Sequence, residues 1–496
     1  MDRLRRGGTA AAGAVLLGTA LVASAAAAPA TGIGDRYFPD YGNPGYDVTH
    51  YDLRLDYEPS TDWLSGTTTI RATATQDLGL LTLDFLLDVE SVRVNGAVAE
   101  HRSDGDHKLV IVPERPVAAG QPLTVVVRYA DAPSRITRHG GTSWYRTADG
   151  AVAIGEPEAA WWWFPSNDHP SDKAGYDVHV TVPEGTQVVS NGILTGTTVR
   201  NGRVSYAWRQ AAPQASYLAT VAIGRFEPRT GRTSEGLPVA NAYDVSLGAE
   251  LGAARDSIER TAEIVEWAAE LYGPYPFDSA GGIATAADVH FALEAQTRPV
   301  YPPKFFRSGA NTYIVAHEIA HQWFGDSVSV SSWADIWLNE GFATYTEWMW
   351  SEDEGEGTVR ELADWVYHLH PADDEFWNVP PGDPGVSRLF APAVYQRGAL
   401  AVHALRNAVG DALFFEIVRA WLAEHRYGNA GIADFIEHAE RTAGTDLKPL
   451  FDTWLYTRGR PGEDAARRAG IDPRAVPTEP ASWAKIKDPD QPTRRP

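Results

Sequence analysis

Residues 315–326 read VAHEIAHQWFGD, and residues 337–345 read WLNEGFATY. Positions i and i+4 of a helix lie on one face, so His317 and His321 can direct two imidazoles at one metal ion. Eighteen residues separate His321 from Glu340, whose carboxylate is the candidate third ligand. Three protein ligands leave a fourth position for water, which is the arrangement of a catalytic zinc site. The two stretches therefore predict a pair of helices that hold a metal ion between them.

Glu318 follows His317 directly on the same predicted helix. Its carboxylate is expected to project beside the ion rather than onto it, which makes it the candidate general base. The residues that flank both motifs are apolar, so both helices are expected to be buried, and a buried charge is costly unless it is paired or ligated. An isolated HExxH motif arises by chance, but the second motif and the apolar flanks favour a metal site.

The two motifs, HEIAH and NEGFA, resemble those of the M1 family of zinc aminopeptidases. The resemblance extends over nearly the whole chain after its first residues, from about Pro44 to about Pro461. Three more segments resemble segments of this family: FALEAQTRP (residues 291–299), VYQRGA (residues 394–399) and WWFPSNDHPSDKAGYDVHVTVPEGTQVVSNG (residues 162–192).

The resemblance implies an aminopeptidase with one zinc ion per chain, bound by His317, His321 and Glu340. It implies that Glu318 takes a proton from a zinc-activated water molecule and later passes it to the leaving amine. Tyr395, in VYQRGA, matches the tyrosine that donates a hydrogen bond to the oxyanion of the tetrahedral intermediate.

An aminopeptidase must also recognise a free α-amine, which requires carboxylates at a fixed distance from the metal. Glu294 matches the glutamate of the family's GAMEN motif, and Glu158, in GEPEAAWWWFP, matches a second glutamate or glutamine of the N-terminal domain. Three residues depart from the motif: Phe291, Leu293 and Ala295 replace glycine, methionine and asparagine. We expect Glu294 and Glu158 to bind the substrate amine.

The chain divides into two large parts, which predict an α+β multidomain fold. Residues 35–243 contain short alternating runs broken by turn residues, the pattern of an antiparallel β-rich domain. Residues 244–461 change to helical periodicity, and the resemblance implies a thermolysin-like, mainly helical catalytic domain. Residues 462–496 show no periodicity and are predicted to form a flexible tail. The resemblance also implies a short form of the family without the large C-terminal helical domain.

Residues 1–28 have the three-part pattern of a signal peptide. A basic start, MDRLRRGG, precedes an apolar run of small residues with A-x-A-like cleavage sites. The run is shorter and less apolar than a typical membrane span. We therefore expect a bacterial protein that is secreted and keeps no stable membrane insertion after cleavage. The chain contains no cysteine, which excludes a disulfide scaffold and a lipoprotein anchor.

The formal net charge of −22 argues against nucleic acid and anionic membranes as partners. The expected partners are peptides with a free N-terminus. Two other classes of function stay open. One is hydrolysis with another specificity, by an endopeptidase or by an enzyme that opens a lipid epoxide, as one branch of the family does. The other is a non-catalytic scaffold with the same fold, although all three ligands, the base and the tyrosine are present.

Overall fold

The computed structural model describes residues 32–138 and 140–487. The predicted signal peptide, residues 1–28, lies outside the described residues, as do residues 488–496 of the predicted tail. Within the described ranges, no helix combines the length and the apolar character that crossing a bilayer requires.

The N-terminal domain consists of β-strands, which confirms the predicted class. In β1 the side chains alternate between buried and more exposed positions along YDVTHYDLRLDYE, as expected for a strand that buries one face. The strands of this domain are β1 (Tyr46–Glu58), β2 (Trp63–Ala74), β3 (Leu81–Asp84), β4 (Val89–Val94), β5 (Ala97–Asp104), β6 (Lys108–Val112), β7 (Pro122–Asp131), β8 (Trp144–Arg146), β9 (Ala151–Ala153), β10 (Lys173–Pro183), β11 (Gln187–Ser190), β12 (Ile193–Arg200), β13 (Arg203–Ala215) and β14 (Val221–Gly224).

These strands form two sheets in the described part of the chain. The larger has the order β12-β13-β10-β1-β2-β7-β4-β5-β6-β3, and the smaller has the order β11-β14-β9-β8. Neighbouring strands of the larger sheet are antiparallel except β1 and β10, which are parallel with His50 opposite Gly175. Both sheets contribute to one apolar core, which also buries Trp161, Trp162 and Trp163.

The catalytic domain is mainly helical, and its helices surround a second large apolar core. Its elements are β15 (Phe226–Arg232), β16 (Pro238–Asp244), α1 (Leu251–Ile258), α2 (Thr261–Tyr272), β17 (Ala280–Ala284), β18 (Val300–Tyr301), α3 (Thr312–Ala320), β19 (Ser329–Val330), α4 (Trp337–Asp353), α5 (Val359–Leu369), α6 (Gly398–Val409), α7 (Asp411–Glu424), β20 (Asn429–Ala430), α8 (Ile432–Ala443), α9 (Lys448–Phe451), α10 (Glu463–Arg468) and α11 (Trp483–Ile486).

The predicted domain boundary at residues 243/244 divides a sheet that the structure keeps together. β15 and β16 form a hairpin, and β16 pairs in parallel with β17, which pairs with β18. Val239 and Tyr243 of β16 belong to the core of the catalytic domain. β15 and β16, which precede the predicted boundary, therefore belong to one sheet with strands that follow it. Alternation along the hairpin resembles that of the preceding strands, so the sequence pattern does not show that β16 pairs with β17.

The prediction of a flexible tail is wrong for residues 462–487. This stretch forms α10 and α11, and it buries Ala466, Ile471 and Trp483 against the core of the catalytic domain. Its charged composition indicated disorder, but a few apolar side chains are sufficient to attach it to a large neighbouring core.

The two domains meet beside the predicted site. Tyr217 and Leu218 of the N-terminal domain pack against Trp333 and Val394 of the catalytic domain in one buried cluster. Lys173 crosses the same boundary, where its ammonium donates hydrogen bonds to the carbonyls of Asp326 (2.7 Å) and Ser327 (3.0 Å). The position of each domain relative to the metal-binding motifs is therefore fixed by apolar and polar contacts.

Candidate active site

Helix α3 presents His317 and Glu318 to a cavity between the domains. The helix begins after Asn311, whose side-chain carbonyl accepts hydrogen bonds from the backbone N–H groups of Tyr313 and Ile314. Asparagine is among the residues that best satisfy the free N–H groups at a helix start. His321 follows the last residue of α3 in helical conformation, so both histidines lie on the same face.

Helix α4 supplies Glu340 from the opposite side. Two glycines allow this helix to approach α6 closely: a Cβ atom on Gly341 would lie 2.4 Å from the Trp337 Nε1 atom and 3.3 Å from the backbone of Gly398. The indole of Trp337 also donates a hydrogen bond to the carbonyl of Gly398. The glycines of NEGFA and VYQRGA thus bring the carboxylate of Glu340 and the turn that carries Tyr395 to the same cavity.

His317, His321 and Glu340 converge as a metal site requires. The Glu340 Oε2 atom lies 3.3 Å from the His317 Nε2 atom and 3.6 Å from the His321 Nε2 atom. Ligand atoms around a tetrahedral zinc ion, each about 2.1 Å from it, are separated by about 3.4 Å. Among the described residues, Glu340 Oε2 is buried without a hydrogen-bond partner. The donor set and the spacing fit zinc.

Each histidine is held through its second ring nitrogen. The carboxylate of Glu347 lies against Nδ1 of His317, and Nδ1 of His321 is 3.0 Å from the carbonyl oxygen of Phe324. These acceptors fix the tautomer that leaves Nε2 available to a metal ion. The sequence motifs do not indicate a role for Glu347, although it lies seven positions after Glu340 on the same face of α4. The feature that could have indicated this role is the presence of a glutamate within an otherwise apolar helix, where a buried carboxylate needs a partner.

Glu318 lines the cavity beside the three donors. Burial raises the pKa of its carboxyl group to about 8, although the neighbouring His317 and His321 lower it. Burial would also raise the pKa of Glu340, but the two histidines outweigh this effect and lower it to about 2.

Tyr395 lies in a single π-helical turn, Ala393–Arg397, that leads into α6. Such turns are frequent at functional sites because they displace one side chain from the regular helical face. The ring of Tyr395 is nearly parallel to that of His317, with 6.1 Å between their centroids. Burial and then the nearby Glu340 raise the pKa of the Tyr395 hydroxyl well above its usual value. The hydroxyl therefore keeps its proton and can donate a hydrogen bond.

Arg397 anchors the turn that carries Tyr395. Its guanidinium is buried and donates hydrogen bonds to backbone carbonyls of two segments, including those of Trp377 (2.6 Å) and Trp454 (2.9 Å). Burial lowers the pKa of Arg397 to about 10, a value at which it still carries its charge at neutral pH. Arg397 thus positions the turn by linking it to the backbone of the segments that contain Trp377 and Trp454.

Glu294 lies in the loop between β17 and β18. It lines the cavity that also contains His317, His321 and Glu340, called the metal cavity below. The Gln322 side chain donates a hydrogen bond to its carbonyl oxygen (3.0 Å), and the hydroxyl of Tyr217 donates one to its carboxylate (3.3 Å). Its carboxylate, with Glu318 and His321, forms a group of donor atoms within 4.8 Å of one another. Of the residues that depart from the GAMEN pattern, Phe291 lines the cavity, whereas Leu293 and Ala295 are buried in a small apolar core.

The structure does not place Glu158 in this cavity. Its carboxylate accepts a hydrogen bond from the hydroxyl of Tyr41 (3.0 Å) and lines a neighbouring pocket. Glu156, two residues earlier, lines the metal cavity instead. Burial and then the carboxylates of Glu294 and Glu340 raise the pKa of Glu156 well above its usual value. Glu156 also borders the neighbouring pocket that Glu158 lines, but of the two glutamates Glu156 alone is among the residues that line the metal cavity.

The metal cavity has a volume of about 370 Å³. Carboxylates are prominent in its lining: Glu156, Glu294, Glu318, Glu340 and Glu347 all contribute. The remaining lining residues are His290, Phe291, Ala292, Lys304, Phe305, Ile314, His317, His321, Thr344, Phe390, Pro392, Tyr395, Gln396 and Ile486. A small, partly apolar space with an excess of acidic groups is suited to a short ligand that carries a positive charge.

Two family models match the chain. The peptidase family M1 domain matches residues 306–454, and the peptidase M1 N-terminal domain matches residues 47–218. Among curated proteins, aminopeptidase M1-A of Oryza sativa subsp. japonica is 28% identical over 334 residues, which cover 63% of this chain and 37% of the relative. The chain thus spans well under two thirds of the length of that relative.

Solved structures of similar length give a fuller match. The crystal structure of an M1 zinc metallopeptidase from Deinococcus radiodurans has a TM-score of 0.77 and 29% identity, and the match covers 87% of this chain and 99% of that chain. A mutant of the M1 zinc metallopeptidase from this organism, bound to a Tyr-Ser-Ala substrate, has a TM-score of 0.78 and 28% identity with the same coverage. The fold of this chain thus matches that of solved M1 zinc metallopeptidases over most of its length.

Proposed function

Because the chain belongs to the M1 family of zinc metallopeptidases, we propose that it is an aminopeptidase that hydrolyses the first peptide bond of peptides with a free N-terminus. His317, His321 and Glu340 are the ligands of its single zinc ion. When bound, zinc supplies Lewis-acid chemistry, which polarises a carbonyl group and lowers the pKa of water. The other steps depend on the side chains around it.

Glu318 is the general base in this proposal. It takes a proton from the attacking water molecule and transfers it to the departing amine. Its position in the cavity beside the three metal-binding side chains supports this role, because a general base must lie within reach of the proton it takes. Tyr395 donates a hydrogen bond to the oxyanion that forms on the scissile carbonyl, which stabilises the transition state more than the substrate.

The observation that carries the assignment is the pair of carboxylates formed by Glu156 and Glu294. Both line the metal cavity, and burial raises the pKa of each. Among the described residues, the Glu156 Oε1 atom is buried without a hydrogen-bond partner. A protonated α-amine would satisfy that atom and offset the repulsion between the two groups. An endopeptidase substrate offers no such cation at this position.

Peptides are the proposed substrates on two grounds. The similar metallopeptidase is described with a Tyr-Ser-Ala substrate, and the volume of the cavity suits a short peptide. The net charge of −22 disfavours nucleic acid and anionic membranes as alternative partners. We further propose that the protein is exported and acts outside the cell, which rests on the signal-peptide pattern of residues 1–28.

Substitution of Glu156 tests amine recognition. In Glu156→Gln we expect kcat/KM for free aminoacyl amides to fall by about 10- to 100-fold, because a hydrogen bond to a charged group contributes about 1.5–3 kcal/mol. Steady-state hydrolysis of leucinamide measures the effect.

Glu158→Gln is the matched control, since it makes the same chemical change two residues away, at a side chain that is not among the residues lining the metal cavity. Its kcat/KM is expected to stay within about twofold of the parent enzyme, the range of a substitution that does not contact substrate. An equal loss in both variants, or a larger loss in Glu158→Gln, would show that Glu156 is not the amine-binding carboxylate.

A further inference from the structure

The C-terminal segment, residues 462–487, reaches the metal cavity. Ile486, at the end of α11, lines the same cavity as His317 and Glu318. The segment lies beyond residues 306–454, which the peptidase M1 domain model matches. A residue outside the matched catalytic domain thus forms part of the wall around the reacting centre.

The segment is fixed to the catalytic helices by polar and apolar contacts. The Asn311 side chain, which caps α3, donates a hydrogen bond to the carbonyl of Lys485 (3.2 Å). Ser482 contacts the hydroxyl of Ser351 in α4 (2.7 Å). Trp483 is buried, with its ring centroid 6.5 Å from that of Trp365. These contacts involve Ser482, Trp483 and Lys485, so they place the adjacent Ile486 against the catalytic helices.

Ile486 lies near the start of α3, whereas Glu294 lies near the end of this helix. Asn311 ties the segment to the start of α3, and Ile314, in the first turn of this helix, also lines the cavity. Glu294 is held at the other end of the helix by Gln322. Ile314 and His321 are seven residues apart, which corresponds to about 10 Å along a helix axis.

A bound peptide would extend along α3, from the end of the helix near Glu294 towards its start near Ile314. If its α-amine lies at Glu156 and Glu294 and its first carbonyl at the metal, the rest of the chain must extend towards Ile314. An extended peptide advances about 3.3–3.6 Å per residue, so about 10 Å accommodates the first three residues. This geometry rests on the proposed function, since amine recognition sets the direction of the substrate.

We propose that Ile486 is a specificity-determining residue that contacts the side chains following the scissile bond. With Ile314 and Phe305 it forms an apolar wall, and burial of apolar surface against such a wall favours substrates with apolar second and third residues. The substrate class is therefore short peptides that are apolar after the first residue. The C-terminal segment determines this preference, and the amine-binding carboxylates do not.

Binding measurements in a Glu318→Gln background test this without turnover. The probes are leucinamide, Leu-Gly-Gly and Leu-Leu-Leu, which share the same first residue, and calorimetry gives the Kd of each. Ile486→Ala is expected to weaken Leu-Leu-Leu about tenfold relative to leucinamide, because part of an apolar contact is lost. Ile486→Val removes one methyl group and should give a smaller shift in the same direction. The Tm of each variant verifies folding.

Val476→Ala is the control, since Val476 lies in the same segment but is 95% exposed and away from the cavity. It should leave all three Kd values and the activity unchanged. An equal loss for all three probes in Ile486→Ala, no loss for Leu-Leu-Leu, or no binding of Leu-Leu-Leu before substitution would overturn the proposal. Selective loss of Leu-Leu-Leu binding, together with no release of leucine by the parent enzyme, would refute the aminopeptidase assignment and leave the apolar wall supported.

Discussion

Glu318→Gln is expected to lower kcat by about 10³- to 10⁴-fold while the protein keeps its zinc. General acid–base catalysis contributes up to about 10⁴-fold, and an amide in place of the carboxylate can neither accept nor return the proton. The substitution preserves the shape of the side chain, so the buried end of α3 is expected to fold unchanged. Single-turnover hydrolysis of an aminoacyl amide and metal analysis of the same preparation measure the two effects.

Glu340→Gln is the matched comparison for Glu318→Gln. It makes the same chemical change in a residue that faces both histidine Nε2 atoms, at 3.3 and 3.6 Å. It is expected to lose zinc as well as activity, because a carboxamide is a poorer ligand than a carboxylate. Loss of zinc in Glu318→Gln would show that Glu318 is a ligand, and near-parent activity in a zinc-loaded preparation would show that it is not the base.

Tyr395→Phe is expected to lower kcat by about 10²- to 10³-fold, with KM changed by no more than a few-fold. Removal of one hydrogen-bond donor to an oxyanion has effects of this size, and they appear in kcat because the oxyanion forms only in the transition state. The phenyl ring still occupies the position nearly parallel to the His317 ring. Steady-state kinetics on a free aminoacyl amide separate the two constants.

Tyr313→Phe removes a tyrosine hydroxyl from the same region without touching the cavity. Its hydroxyl donates to the carboxylate of Glu356 near the start of α3. Its kcat is expected to stay within about twofold of the parent value, because such a hydrogen bond contributes only to stability. If Tyr395→Phe raised KM without lowering kcat, Tyr395 would be a substrate-binding residue instead of an oxyanion donor.

The convergence of His317, His321 and Glu340 could be predicted from the sequence, and helix geometry accounts for the two histidines. His317 and His321 are one turn apart, and no tertiary information is needed to place them on one face. Glu340 needed its own motif, since it comes from a different helix. Glu347 and Ile486 were not predicted: the first is one of many glutamates in the sequence, and the second lies in a stretch whose composition resembles a disordered tail.

The sequence alone does not determine whether Glu156 or Glu158 lines the metal cavity. Both lie in a loop before the buried tryptophans. A loop has no regular period from which to predict which side chain points into the metal cavity. Tyr41, more than a hundred residues earlier, takes Glu158 as a hydrogen-bond partner. The same limit applies to the hairpin of β15 and β16, because no local pattern shows that β16 pairs with the distant β17.

A zinc-dependent site that recognises a free α-amine and hydrolyses the adjacent bond distinguishes free substrates from blocked ones. The most direct measurement is hydrolysis of leucinamide and N-acetyl-leucinamide by the purified protein, with and without a zinc chelator. We predict cleavage of leucinamide alone, abolished by the chelator and restored by added zinc. Cleavage of the acetylated substrate at a similar or higher rate would contradict amine recognition and indicate an endopeptidase.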